Sequence, residues 1–139
     1  MASEAMVVLV TAPTAEVAAG VARALVEEGL AACGNVVPGV RSIYRWEGKV
    51  ADDAEALIVL KTERRVLPAL KERLPQVHPY GVPELLAIRV EDGLAPYLAW
   101  LGAALRPRRR AARGRASAAR GRAPGPPRRR GGRASSRPT

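Results

Sequence analysis

Phenylalanine is absent from this chain of 139 residues, and the only aromatics are two Trp and three Tyr. There is one cysteine, so no intramolecular disulfide can form, and a reducing cytoplasm is the natural setting. There is one histidine, so a single chain has no cluster of imidazoles to bind metal and few players for acid–base catalysis. No apolar run approaches the roughly 20 residues needed to span a membrane. Glu4 stands where a secretory signal needs basic charge, and the apolar run from Ala5 ends at Pro13, which argues against a signal peptide. Nucleophile elbow, His-Glu-x-x-His and P-loop patterns are all missing, and the scattered glycines Gly34, Gly39, Gly48 and Gly81 form no phosphate loop. The expectation is a protein that is not an enzyme.

Acidic residues are missing from one region only. Residues 106–139 contain 13 arginines and no Asp or Glu, which leaves 10 basic against 13 acidic residues in 1–105. The net charge of +10 therefore belongs to an extension, and the body is slightly acidic. The sequence divides into a domain over 1–105 and an Arg/Pro/Gly-rich tail over 106–139. The tail holds no large apolar residue to bury and reads as disordered. It could pair with phosphates of nucleic acid or another polyanion, but without an aromatic such binding would be sequence-blind and salt-sensitive. An unselected extension is the alternative.

Within the body, Met6–Val10 is an apolar, β-branched run and reads as a buried strand. Thr14 is placed to cap a helix whose apolar face is Val17, Val21, Ala24 and Leu25, with Gly29 as its stop. Ala31–Val37 reads as a second strand. Pro38-Gly39 is a turn or bulge in its course, and Val40–Trp46 continues it. Glu47-Gly48-Lys49 marks a hairpin. Ala54–Thr62 is apolar on both faces, as a central strand should be. Asp52 and Asp53 look like part of a solvated hairpin. Leu67, Leu70, Leu74 and Val77 predict a second helix, which Pro75 should end or kink early. Leu85–Val90 reads as a fourth strand. Ala95–Leu105 reads as a last helix, with Tyr97, Leu98, Leu101 and Leu105 on one side. The order βαββαβ with a C-terminal helix predicts a ferredoxin-like α+β fold, an antiparallel sheet with two helices on one face. The other face would be open, and an apolar central strand predicts that further subunits cover it.

Two stretches, Ser42–Lys49 and His78–Glu84, hold three of the five aromatics and the only histidine. His78 precedes Pro79, which favours an extended backbone at the end of the second helix. Imidazole suits Cu(II), Zn(II) or Ni(II), although His78 could equally cap helix carbonyls or pack on Tyr80. Cys33 reads either as a buried small hydrophobe or as a ligand. Tyr44 and Trp46 alternate and so share a strand face. With Lys61, Tyr80 and Glu84 they suggest a cleft at a subunit interface, with a Lys–Glu pair that neutralises itself or holds a small anion.

Read with Ala31-Ala32-Cys33-Gly34-Asn35-Val36-Val37-Pro38-Gly39, these stretches resemble the divalent-cation tolerance family (CutA) over about residues 6 to 105. The resemblance implies a homotrimer whose sheets pack around a three-fold axis. It also implies a role in divalent-metal tolerance, with weak Cu(II) binding near subunit boundaries and His78, Cys33 and Glu84 as ligands. Some family members linked with copper carry a cysteine late in the first strand and a histidine pair before Pro-Tyr; at the corresponding positions this chain has Val10 and Val77, and only His78 of that set is present. A trimeric small-molecule sensor of the nitrogen-regulatory type is a second reading by analogy of fold. A scaffold that binds nucleic acid through its tail is a third.

Overall fold

A computed structural model describes residues 3–107; the expected basic tail lies, from residue 108 on, outside the described residues. The elements are β1 (Ala5–Ala12), α1 (Ala15–Glu27), β2 (Cys33–Trp46), β3 (Lys49–Glu63), α2 (Leu67–Val77), β4 (Leu86–Arg89) and α3 (Ala95–Ala103). The strands form one antiparallel sheet in the order β2-β3-β1-β4. That order, with α1 and α2 packed on one face, is the ferredoxin-like arrangement expected from the sequence.

Local chemistry explains the boundaries. The Thr14 side chain accepts a hydrogen bond from the Val17 amide at 3.1 Å and caps α1. Gly29, at φ 73°, ends that helix in the left-handed region, where the Arg106 backbone packs too closely for a Cβ. The β2–β3 hairpin turns on two residues, Glu47 and Gly48, both at positive φ, between the paired Trp46 and Lys49. A two-residue turn of this kind matches the twist of the flanking strands. Asp52 and Asp53 lie within β3, not in the turn: its pairing with β2 continues to Lys49. Pro75 does not stop α2, which runs to Val77. It sits in the last turn, so the single carbonyl it strands, on Lys71, belongs to a solvent-exposed residue.

Alternation sorts β1 and β3 between two environments. Val8, Val10, Ala12, Ala56, Ile58 and Leu60 are buried against Leu25, Leu30, Leu70 and Leu74 from the helical layer and its loops. Each large aliphatic side chain buried here is worth roughly 1.5–3 kcal/mol. The strand pairing aligns three rows across the other face. These are Cys33–Lys61–Val7–Ile88, Asn35–Val59–Leu9–Leu86 and Val37–Leu57–Thr11. No helix of the described chain covers this face, and Leu86 and Ile88 are 58% and 51% exposed. The last helix departs from the predicted side: Leu101 and Leu105 are buried and Leu98 is half-buried, but Tyr97 is exposed.

Candidate functional site

The bulge at Pro38–Gly39 organises the polar end of the open face. Register runs Val37↔Leu57 and then Val40↔Glu55, so two β2 residues are spent against one of β3. Up to Val37 the odd-numbered residues of β2 lie on the open face, and from Val40 the even-numbered ones do. Tyr44 and Trp46 thereby share the face of Cys33, Asn35 and Glu55. The Tyr44 hydroxyl donates to Asp53 Oδ2 at 2.5 Å. Trp46 is half-buried at the far end of the arm.

His78 stands at the C-terminal end of α2 with an extended backbone, φ −109° and ψ 140°. Its ring reaches the end of β1. Nε2 lies 2.8 Å from the Thr11 carbonyl oxygen, and Nδ1 lies 3.1 Å from the Tyr80 amide. A carbonyl can only accept and an amide can only donate. His78 is therefore the neutral tautomer with its proton on Nε2. Burial pushes its pKa below the usual value for histidine, and the hydrogen bond to Thr11 and the nearby Glu55 only partly oppose this. Both ring nitrogens are engaged, so a metal ion must displace one of these backbone groups to reach His78.

The next residues of the segment fold over the same spot. The Tyr80 ring lies 4.8 Å from the His78 ring, centroid to centroid. Its hydroxyl donates to Glu55 Oε2 at 2.5 Å, and Glu55 is 4% exposed. The Thr11 hydroxyl is 3.5 Å from Glu84 Oε1. His78, Tyr80 and Glu84 thus converge with Thr11 and Glu55 where β1 ends beside β3. Sequence reasoning missed Thr11 and Glu55. The available signal was the position of Glu55, directly bordering the apolar run of β3 on its open-face parity.

Cys33 and Lys61 sit elsewhere. Lys61 Nζ donates to Asn35 Oδ1 at 2.6 Å and lies 3.4 Å from Cys33 Sγ. Lys61 pairs in register with Val7, whereas Thr11 is four residues further along β1, roughly 13 Å away. Lys61 and Glu84 therefore lie towards opposite ends of the open face, Lys61 across from Val7 and Glu84 beside Thr11. Among the described residues, no three His, Cys, Asp or Glu side chains come together in a geometry that would hold a metal ion.

Comparison with known proteins gives a consistent picture. The profile of the CutA1 divalent ion tolerance protein matches residues 6–104. The divalent-cation tolerance protein CutA of Thermus thermophilus is 54% identical over 95 residues, covering 68% of this chain and 92% of that protein. Protein CutA of Mus musculus is 49% identical over 92 residues, covering 66% of this chain and about half, 52%, of the mouse protein. Among solved structures, the Cut A1 protein of Thermus thermophilus superposes with a TM-score of 0.71 at 50% identity, covering 73% of this chain and 98% of that one. The chain belongs to the CutA1 divalent ion tolerance family.

Proposed function

We propose that this chain is a homotrimeric, cytoplasmic divalent-cation tolerance protein that engages Cu(II), or another divalent cation, weakly at its subunit boundaries. The observation that carries this reading is the His78–Tyr80–Glu55–Thr11–Glu84 cluster at the rim of an uncovered apolar sheet face. An apolar face of this kind is stable in water only when covered, and self-association is the simplest cover. Assembly around a three-fold axis multiplies the single His78 and the carboxylate of Glu84 by three. It also multiplies Cys33, at the opposite end of the same face.

The geometry of the cluster favours weak binding over tight binding. Ligation by His78 orphans either the Thr11 carbonyl or the Tyr80 amide, which costs about 1–3 kcal/mol when the group is buried. That penalty lowers affinity by about fivefold to more than a hundredfold relative to a free imidazole. A tight site with three or four ready ligands is not present within the described residues of one subunit.

The test is a calorimetric titration of the full chain with Cu(II) and with Zn(II), alongside His78→Ala and Glu84→Gln. Saturable binding near one ion per subunit, weakened in both variants, supports the reading. Binding indifferent to both substitutions, or no binding, contradicts it.

A further inference from the structure

Tyr80 engages an imidazole and a carboxylate at once. Its amide donates to His78 Nδ1 at 3.1 Å, and its hydroxyl donates to Glu55 Oε2 at 2.5 Å. His78 and Glu55 are 5% and 4% exposed, so both are hidden from solvent while Tyr80 is in place.

The two partners of the His78 ring are not equivalent. Nε2 carries the proton and donates to the Thr11 carbonyl. Thr11 is buried and held in β1 by its pairing with Leu57. Nδ1 carries the lone pair that a cation needs. Ligation through Nε2 would force the ring to give up that proton and would leave a buried carbonyl without a donor. Ligation through Nδ1 requires only that the Tyr80 amide leave.

The segment carrying that amide has little to lose by moving. It lies between α2 and β4 and belongs to no helix or strand. Pro79, Gly81 and Val82, on either side of Tyr80, are exposed, and none of residues 79–84 belongs to the hydrophobic core. Few buried apolar contacts and solvent-exposed backbone are the marks of a segment that opens locally.

We infer that Tyr80 is a latch on the cation site: its departure frees His78 Nδ1 and the Glu55 carboxylate in one movement, and Glu55 joins His78 as a ligand. The inference rests on the divalent-cation reading above. An imidazole nitrogen and a carboxylate oxygen both suit Zn(II). A closed latch and a bound cation exclude each other, so each weakens the other by the same factor. Weakening the latch therefore strengthens binding. A Tyr80 hydroxyl that ligated the cation itself would give the opposite sign.

The test uses the full chain with its histidine labelled with ¹⁵N, and Zn(II) as the probe. Since the chain has one histidine, both ring resonances are assigned without ambiguity. Zn(II) is expected to shift Nδ1, to leave Nε2 protonated and to speed hydrogen exchange at the Tyr80 amide. Tyr80→Phe keeps the ring beside His78 and removes only the hydroxyl. Losing a hydrogen bond to a charged group should tighten Zn(II) binding by about tenfold. It should also speed amide exchange at residue 80 in the metal-free protein. Glu55→Gln keeps an acceptor for Tyr80 and should weaken Zn(II) binding by about tenfold or more. Zn(II) bound at Nε2, or a Tyr80→Phe variant that binds no tighter than wild type, would overturn the latch and leave the cation reading standing. Unchanged affinity in Glu55→Gln would overturn the role of Glu55. No uptake of Zn(II) by either wild type or Tyr80→Phe would overturn the cation reading and the latch with it.

Discussion

Removing the His78 side chain tests how the site is held together. Nε2–H donates to the buried Thr11 carbonyl at 2.8 Å, and Nδ1 accepts the Tyr80 amide at 3.1 Å. His78→Ala leaves a buried acceptor orphaned, at about 1–3 kcal/mol. The half-buried Tyr80 amide can recruit water, and its loss adds about 1 kcal/mol. A total of about 2–4 kcal/mol per subunit is expected at pH 7.5. The pH dependence has a definite sign. Burial lowers the folded-state pKa of His78 below its unfolded value near 6.5, so the folded state favours the neutral ring. The stabilisation is complete above about 6.5 and is lost as pH falls from there towards the folded-state pKa. One proton per subunit limits the slope to about 1.4 kcal/mol per pH unit. Urea unfolding of wild type and His78→Ala, metal-free and at one fixed protein concentration, measures the gap between them at pH 7.5 and 5.5. The gap should narrow at the lower pH. A gap that stays constant or widens would refute the neutral, doubly engaged His78.

Other substitutions probe the remaining elements. Thr62→Val removes a buried hydroxyl that donates to the Leu30 carbonyl at 2.8 Å, and should cost about 1–3 kcal/mol in denaturant unfolding. Gly34→Ala brings a Cβ to 3.0 Å from both Ala22 and Leu60 side-chain carbons, and overpacking there should lower stability by about 1–3 kcal/mol. Trp46→Ala should weaken subunit assembly, read by concentration-dependent light scattering, more than Trp100→Ala does; equal losses would undo the placement of the hairpin arm at a subunit boundary.

Much of the fold was legible because its signals are local. Thr14, Gly29 and Glu47-Gly48 mark their boundaries through capping and positive φ, and the apolar run of β3 marks a central strand. Pro75 misled because its cost depends on where the freed carbonyl points, and here that carbonyl belongs to exposed Lys71. Tyr97 misled because helical periodicity locates a face without saying what covers it. The site was half legible. His78, Tyr80 and Glu84 lie in one short segment and were visible together. Thr11 and Glu55 come from strands 44 positions apart in sequence, and only pairing through β1 and β3 brings them to His78. The Pro38–Gly39 bulge, which switches β2 parity, decides which face Tyr44 and Trp46 occupy. Alternation read without it places them on the opposite face to Cys33.

The central claim is that copies of this chain close the apolar sheet face formed by Val7, Leu9, Leu57, Val59, Leu86 and Ile88. Light scattering on the eluting protein, with Leu9→Asp beside wild type, tests it most directly. Leu9 is at the centre of that face, paired with Val59 on one side and Leu86 on the other. The account predicts a wild-type mass of three chains of 14.8 kDa, about 44 kDa, and a dissociated or insoluble Leu9→Asp variant. A wild-type monomer, or a Leu9→Asp variant that keeps the wild-type mass, would contradict it.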